Sequence, residues 1–186
     1  MEVNIHYLNE NQKELTVEYD YISSPFSSSL KDMLLMCIED KICYLGFKGQ
    51  KFKTEEEVLA VAKKSFKSLK NVSFIKANLS KFESTVFSGT SKDILLIGTP
   101  FQISVWKALL SVKSGEVISY EDLAKRVEGI EKDKNYTRAT ATAVANNKIS
   151  LIVPCHRIIR KSGSINQYLW GVDIKKKILE HEGVKF

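Results

Sequence analysis

Helix-start signals in the C-terminal half are the feature that most constrains the fold of this chain. In GTPFQISVWKALLSV, Thr99 precedes Pro100, and Gln102 follows the threonine by three residues. This spacing is typical of a capping box with proline at the first helical position, in which otherwise unpaired backbone donors are satisfied. The segment therefore predicts a core helix that begins at Pro100.

Two further helices are predicted after it. In ISYEDLAKRVEG, Ser119 is a second N-cap with Asp122 three residues later, and Leu123 and Val127 fall on one face. A third helix is predicted over residues 136–146, after the polar connection GIEKDKN. Two helices joined by a turn in a basic domain resemble a helix-turn-helix unit, although many helical domains fit the same pattern.

The N-terminal half has a different pattern. Short β-like runs in HYLNENQKELTVEYDYI and MCIEDKICYLGFKG predict strands, and apolar residues recur at helical spacing in TEEEVLAVAKKSFKSLKN. These signals predict a small α/β unit. Glycine and small polar residues in FSGTSKD indicate a linker, which divides the chain into units of residues 1–91 and 92–186.

Composition narrows the class of protein. The 186 residues, 44% of them hydrophobic, can bury one good core or two modest ones. No run of about 18 apolar residues is present and the N-terminus lacks a signal-peptide pattern, so we expect a soluble intracellular protein without membrane binding. The cysteines Cys37, Cys43 and Cys155 are too few and too scattered for a disulfide framework or a zinc site, so we expect free thiols and no metal.

The charge distribution points to the C-terminal half. Residues 1–94 hold 13 basic and 13 acidic side chains, and residues 95–186 hold 15 and 9, so the net charge of +6 lies in the second half. A basic surface favours a polyanion, but a solvated surface with no partner also fits.

In the third helix, YTRATATAVANN, Arg138 lies among alanines and threonines. This pattern suits a helix that enters a DNA groove, and tight packing in the core is the alternative.

The most reactive residues lie in SLIVPCHRIIRK, where Cys155, His156 and Arg157 follow Pro154 at the end of an apolar run typical of a buried strand. A cysteine attacks only as a thiolate, so its pKa of about 8.5 must be lowered for reaction at neutral pH. Neighbouring side chains of a strand face opposite ways, so His156 would need a bend or a bridging water to reach the thiol. A structural cysteine beside a satisfied histidine is the alternative.

The last helix supplies a candidate partner for the histidine. In DIKKKILEHEG, Ile174, Ile178 and Glu182 recur at steps of four, which places the carboxylate on the inner face, and Gly183 ends the helix. Glu182 could fix the tautomer of His156 and complete a relay of nucleophile, base and orienting group. A frayed last turn with Glu182 in water is the alternative.

These segments together resemble a known family. IVPCHRII, preceded by GTPFQISVWKAL and ISYEDLA and followed by YLWGVDIKKKILEHEG, is similar to the O6-alkylguanine-DNA alkyltransferases, also called methylated-DNA-protein-cysteine methyltransferases. The resemblance covers residues 94–183 in motif order and spacing. The N-terminal part resembles the family loosely, mainly through DKICYLGF.

The resemblance implies a suicide DNA repair protein that needs no cofactor. Cys155 would take a methyl or small alkyl group irreversibly from O6 of guanine, with O4 of thymine as a further candidate. His156 would act as base through a water, oriented by Glu182. Tyr120 would help to rotate the nucleotide and would bind the flipped base, and Asn147 would be the hinge between the recognition helix and the active-site segment.

The resemblance also implies the surroundings of that site. Arg138 would fill the place of the extruded base, and the other DNA-binding positions would be Tyr120, Thr137, Ala139 and Ala141. The pocket and its lid would be formed by Pro154, Ile158, Tyr168, Leu169 and Trp170. The partner would be double-stranded DNA carrying O6-alkylguanine, bound by a monomer that is cytoplasmic in a prokaryote and nuclear in a eukaryote.

The implied fold is an α/β N-terminal domain, a small ribonuclease H-like sheet plus helix, followed by a mainly helical, winged-helix-like domain with a helix-turn-helix. This chain departs from the family pattern in a connection about four residues longer between Tyr120 and Arg138. It also has Gln167 before the lid tyrosine, and Trp170 where some members have glycine. The bulkier lid leads us to expect methyl rather than benzyl substrates.

Three other functions fit part of the pattern. A non-catalytic binder of alkylated DNA would not need the cysteine that this chain retains. A transcription regulator could use the same helix-turn-helix, and it would bind one promoter sequence regardless of lesions. A Cys-His hydrolase would need a peptide-binding site, of which the sequence has no recognisable second half.

Overall fold

The computed structural model describes residues 2–8, 14–26, 32–49, 51–87, 91–131, 134–165 and 167–185. The chain forms two compact units, Met1–Ile97 and Gly98–Phe186. Within the described residues, no helix has both the length and the apolar character required to span a bilayer. In the same residues, no group of three or more histidine, cysteine, aspartate or glutamate side chains could hold a metal ion.

The first unit is an α/β structure built on one mixed sheet. Its strands are β1 (Val3–Tyr7), β2 (Leu15–Ile22), β3 (Met33–Ile38), β4 (Lys41–Phe47), β5 (Val72–Lys76) and β6 (Lys92–Leu96), and its helices are α1 (Glu55–Lys64) and α2 (Lys81–Phe87). The strand order is β1-β6-β4-β3-β2-β5, with antiparallel pairing around β3 and parallel pairing at both ends. The predicted α/β class is therefore confirmed.

The centre of this sheet is a hairpin of two apolar strands. All six residues of β3 are buried, and the turn to β4 is made by Glu39 and Asp40, both with positive φ, which matches the twist of a two-residue hairpin. Thr54 and Glu57 form a capping box at the start of α1, and Val58 and Ala62 bury its inner face. The helical pattern of the sequence extends to residue 71, but the helix ends at Lys64.

The two compact units divide six residues later than the boundary expected between residues 91 and 92. Residues 92–96 form β6, which pairs with β1 from Val3↔Lys92 to Tyr7↔Leu96 and also pairs with β4. This strand therefore belongs to the first unit, which extends to Ile97. The linker residues Gly89 and Thr90 lie outside the described residues.

The second unit is mainly helical. Its elements are α3 (Pro100–Leu110), β7 (Ile118–Ser119), α4 (Tyr120–Arg126), α5 (Thr137–Ala145), β8 (Ile158–Ile159) and α6 (Val172–His181). The capping box of Thr99 with Gln102 and the N-cap of Ser119 are both present, as predicted. Lys132 and Asp133, in the connection from α4 to α5, lie outside the described residues.

Three contacts fix the helices of this unit against one another. The Trp106 indole Nε1 donates to the Ala143 carbonyl oxygen at 2.9 Å, which joins α3 to the buried face of α5. The rings of Phe101 and Tyr136 lie 6.0 Å apart between the starts of these two helices. β7, just before α4, pairs in parallel with β8, just after the cysteine motif. This pairing holds the start of α4 next to the segment Cys155–Arg157, called the reactive turn below.

We predict that Gly98→Ala destabilises the second unit by about 1 to 3 kcal/mol, because a buried side chain would have to move to make room. A Cβ at this position would lie 2.6 Å from the Trp106 ring. Both tryptophans of the chain, Trp106 and Trp170, belong to this unit, so thermal unfolding followed by tryptophan fluorescence reports on it. Ser114→Ala, at an exposed loop position, is the control. Equal midpoints for Gly98→Ala and the natural chain would contradict the prediction.

Candidate active site

The apolar run before the cysteine is a series of tight turns, so its interpretation as a buried strand is wrong. The Ile152 N–H donates to the Ser150 carbonyl at 2.9 Å, and the Val153 N–H donates to the Ile149 carbonyl at 2.9 Å. Leu151 has a φ of 68°, in the left-handed region that disfavours a branched side chain. Such strain costs roughly 1 to 2 kcal/mol and persists only where surrounding contacts hold it in place.

The Asn147 amide holds these turns together. Its Oδ1 accepts the Ile149 N–H at 3.0 Å, and its Nδ2 donates to the Val153 carbonyl at 2.8 Å and to Cys155 Sγ at 3.1 Å. The side chain is buried, and the residue lies two positions after the end of α5. One amide therefore connects the end of the alanine-rich helix to the sulfur.

Cys155 begins a 3-10 turn, Cys155–Arg157, which supplies the bend that an extended strand lacks. Cys155 as a whole residue is 8% exposed, and its Sγ lies 4.0 Å from the Tyr168 hydroxyl oxygen. Burial raises the pKa of this thiol, against hydrogen bonds from Asn147 and Tyr168 and the charge of Lys175, which lower it. The resting group is therefore a thiol, and a base must take its proton before it attacks.

His156 follows Cys155 in the sequence, and its side chain is fully buried. Its Nε2 lies 3.1 Å from Glu182 Oε1, and its buried Nδ1 has no hydrogen-bond partner among the described residues. Burial lowers the pKa of His156, which outweighs the opposing effect of the Glu182 hydrogen bond. The imidazole is therefore neutral at neutral pH.

Glu182 is held by an arginine as well as by the histidine. Arg157 donates from Nη2 to Oε1 at 2.7 Å and from Nε to Oε2 at 3.0 Å, and its Nη1 donates to the Val112 carbonyl at 2.6 Å. Burial would raise the pKa of Glu182, but the hydrogen bonds from His156 and Arg157 lower it to about 2. Because the carboxylate is ionised, the proton of neutral His156 lies on Nε2, which leaves the Nδ1 lone pair free to accept a proton.

The expected inward direction of Glu182 is therefore observed, but sequence reasoning missed two other charged groups. Arg157 is part of the motif SLIVPCHRIIRK, but no role was predicted for it. Lys175 is 1% exposed on α6, where its Nζ donates to the Ile158 carbonyl at 2.5 Å, and burial lowers its pKa to about 8. Its spacing of seven residues from Glu182 places both on the inner face, and this was the available signal.

The lid residues lie on the segment before α6. Tyr168 and Leu169 are half-buried, whereas Trp170 is 2% exposed and its indole Nε1 donates to Ser150 Oγ at 2.7 Å. Among the other pocket positions, Pro154 and Ile158 are buried in and beside the reactive turn. Ser150, a fully buried serine below the lid, was also missed by sequence reasoning.

The predicted DNA-binding residues lie on α4 and α5. Tyr120 is the first residue of α4 and is half-buried. On α5, Arg138 and Ala139 are exposed, and Thr137 and Ala141 are half-buried, so this side of the helix is accessible while its opposite side packs in the core. The tight packing given as the alternative therefore applies to one side of the helix and leaves the predicted DNA-binding side accessible.

Comparison with known proteins gives a consistent result. The family described as "6-O-methylguanine DNA methyltransferase, DNA binding domain" matches residues 100–184. A methylated-DNA–protein-cysteine methyltransferase of Kluyveromyces lactis is 32% identical over 147 residues, which cover 72% of this chain and 76% of that protein. The bifunctional transcriptional activator/DNA repair enzyme Ada of Escherichia coli is 45% identical over 85 residues, 46% of this chain and 23% of Ada. The present chain thus spans only about a quarter of Ada.

The fold agrees with these sequence matches. The crystal structure of Mycobacterium tuberculosis OGT in complex with DNA has a TM-score of 0.64 and 28% identity, and it covers 89% of this chain and 92% of that one. The K. lactis match exceeds three quarters of that relative's length at more than 30% identity. The chain therefore belongs to the methylated-DNA–protein-cysteine methyltransferase family.

Proposed function

We propose that this protein repairs DNA by direct reversal, through irreversible transfer of a methyl or small alkyl group from O6 of guanine to Cys155. Each molecule would react once and would need no cofactor. The strongest support is the buried chain of contacts from Arg157 through Glu182 to His156, next to a sulfur that Asn147 holds. A protein that only binds DNA, whether a lesion sensor or a regulator, does not need the nucleophile that this chain retains beside these contacts.

Proton removal is the first step. Nδ1 of His156 takes the thiol proton through one bridging water, because its lone pair is free and Glu182 already holds the Nε2–H. The imidazolium that forms is stabilised by the ionised Glu182 carboxylate. Asn147 donates a hydrogen bond to the sulfur that favours the thiolate over the thiol, and the Tyr168 hydroxyl, which accepts from the thiol at 4.0 Å, would donate to the sulfur once it has lost its proton. The thiolate therefore forms only with these groups in place.

Transfer of the alkyl group is the second step. The S–C bond forms as the C–O6 bond breaks, and the electron pair of the broken bond moves onto the guanine. The Tyr120 hydroxyl supplies a proton to a ring nitrogen as that negative charge develops. Tyr120 then regains a proton from solvent and His156 gives its proton up to solvent, so the net change is the loss of one proton from the thiol and the gain of one by the released guanine. The product thioether has no easy reverse path, so the reaction is stoichiometric.

Recognition of DNA uses α4 and α5 as a helix-turn-helix in a winged-helix-like unit. The accessible side of α5 carries Arg138 beside Ala139, small enough for the backbone to approach a groove while the arginine fills the place of the extruded base. An alkylated guanine pairs poorly and is easier to extrude than a normal one. The partner is duplex DNA carrying the lesion, with O4-alkylthymine as a further substrate.

The proposal also covers the fold type of the first unit, the cellular compartment and the oligomeric state. The mixed sheet of the first unit, with an antiparallel hairpin at its centre, supports a ribonuclease H-like arrangement. The cysteines Cys37, Cys43 and Cys155 are free thiols, which suits a reducing compartment, cytoplasmic or nuclear. The protein acts as a monomer.

Exposure to an oligonucleotide with one O6-methylguanine should add one methyl group to the protein, measured by intact mass, with the modified peptide containing Cys155. Cys155→Ala should gain no mass, because the nucleophile is absent. Cys43→Ala is the matched control, since that thiol donates to the Met36 carbonyl inside the first unit. A methyl group on Cys155→Ala, or none on the natural chain, would refute the proposed reaction.

Single-turnover transfer should slow as the pH falls through the pKa of His156, which lies below its usual value of 6.5, because the neutral imidazole is the base. Glu182→Gln should lower the maximal rate by about tenfold to hundredfold. It should also move the acid limb to lower pH, because the Glu182 hydrogen bond raises the histidine pKa.

Glu180→Gln, exposed on the same helix, is the control for that experiment and should leave the pH profile unchanged. Circular dichroism must show that Glu182→Gln is folded, since Arg157 loses its ionic partner. An unchanged rate in folded Glu182→Gln would exclude the relay.

Arg138→Ala should slow transfer from duplex DNA by about tenfold or more, because extrusion of a stacked base costs a few kcal/mol that the arginine offsets. Transfer from free O6-methylguanine base should be unaffected. Binding of the natural chain to DNA should weaken as salt rises. Lys134→Ala removes a nearby exposed positive charge and is the control. An equal loss with the free base would show that Arg138 acts on the reactive turn instead.

A further inference from the structure

Glu121 binds two lysine side chains that come from different parts of the chain. Its Oε2 accepts from Lys161 Nζ at 2.8 Å, and its Oε1 accepts from Lys125 Nζ at 3.2 Å. Lys125 lies one turn further along α4, whereas Lys161 lies in the loop after β8. Asp122 adds a longer contact, 3.7 Å from Lys125 Nζ. Each oxygen of the Glu121 carboxylate therefore has its own cation.

These three side chains are open to solvent. The exposed fraction of the side chain is 80% for Lys161, 67% for Lys125 and 41% for Glu121. The hydrogen bonds from Lys161 and Lys125 lower the pKa of Glu121, so its carboxylate is ionised at neutral pH. Ion pairs at such exposure contribute little to folding, because water solvates each charge almost as well. Exchange of the carboxylate for another anion therefore costs the fold little.

Lys161 is presented by a closed turn. The Gly163 N–H donates to the Arg160 carbonyl at 2.9 Å, and the Arg160 N–H donates to the Ser164 carbonyl at 3.2 Å. Gly163 has a φ of 79°, in the region that favours glycine. Residues 158–172 contain two basic side chains, both exposed, and no acidic one. The turn therefore presents positive charge from an ordered backbone, and this charge complements an anion.

The cluster lies beside the helix that is proposed to enter a DNA groove. Glu121, Lys125 and Thr137 line one cavity of about 730 Å³ between α4 and the start of α5. Arg138, next to Thr137, is exposed. Backbone phosphates border each groove of a duplex, and most of the affinity of basic proteins for DNA comes from contacts with them. A duplex that receives α5 would bring its phosphates towards these lysines.

We infer that Lys161 and Lys125 bind a DNA backbone phosphate, and that Glu121 occupies the place of this phosphate in the free protein. A phosphodiester has one negative charge and two unesterified oxygens, so it can accept the same two ammonium groups as the carboxylate. Binding of DNA transfers the lysines from Glu121 to the phosphate. Glu121 therefore weakens binding, because DNA must displace it. The choice of DNA as the polyanion rests on the proposed function.

The test is binding of the full chain to an unmodified duplex, measured by fluorescence anisotropy over a range of salt concentrations. Glu121→Gln should raise the affinity by about twofold to fivefold, because the competing ion pairs are lost. Lys161→Ala should weaken binding and reduce the slope of log K against log salt by about 1. Glu180→Gln and Lys176→Ala remove the same charges at exposed positions of α6, and these controls should have smaller effects.

A combined variant separates exchange of the lysines from a general effect of net charge. In a background of Lys125→Ala with Lys161→Ala, the gain in affinity from Glu121→Gln should be largely lost, because no ammonium group remains to be released. A simple effect of net charge would give the same gain in both backgrounds. That result, an unchanged affinity in Glu121→Gln, or no binding of the natural chain to the duplex would overturn the inference.

Transfer of the methyl group from free O6-methylguanine base to Cys155 is the second measurement. It should be unchanged in Glu121→Gln and Lys161→Ala, because the free base has no phosphate. A loss of this transfer in Lys161→Ala would show that the lysine acts on the reactive turn, which would also contradict the inference. Failure of transfer in the natural chain would refute the proposed reaction, and the binding measurements would still decide the role of the lysines.

Discussion

The ionised carboxylate of Glu182 is the group on which the rest of the reactive turn depends. Two nitrogens of Arg157 and Nε2 of His156 contact this one carboxylate. A buried ion pair of this kind adds little net stability, yet loss of one partner leaves an uncompensated charge. Its effect here is on protonation: the negative charge assigns the histidine proton to Nε2 and leaves Nδ1 as a base.

The second constraint is geometric, and it comes from Asn147. Three hydrogen bonds from one amide link the end of α5, the strained turn at Leu151 and the sulfur. The parallel pair of β7 and β8 adds a second link, from the start of α4 to the residues just after the motif. The helices proposed to read DNA and the group proposed to react with it are therefore parts of one framework.

The local features of this fold were predictable from sequence, because their causes are local. Thr99 and Ser119 identify helix starts through bonds made within three residues. The pairing of β6 with β1 was not predictable in this way, because β1 lies almost ninety positions away and no local pattern indicates it.

The candidate site likewise has features that the sequence predicted and features that only the tertiary structure shows. The residue spacing in the last helix was enough to predict that Glu182 points inward. A run of apolar residues could not reveal the left-handed conformation of Leu151. Arg157 and Lys175 were missed because a charged side chain is by default assigned to solvent, and only tertiary structure shows a partner for each. Ser150 carried no signal of its own.

The depth of the sulfur has a consequence for the lifetime of the protein in the cell. If each molecule reacts only once, as proposed, any oxidant or metabolite that reaches the thiolate first inactivates it. Only 8% of Cys155 is accessible, and the resting sulfur keeps its proton because burial raises its pKa. Peroxides and small electrophiles therefore meet a buried thiol, which is less reactive than an exposed thiolate. Under the proposed reaction, unreacted molecules should therefore be consumed mainly by alkylated DNA, and the amount that remains would record how much alkylation has occurred.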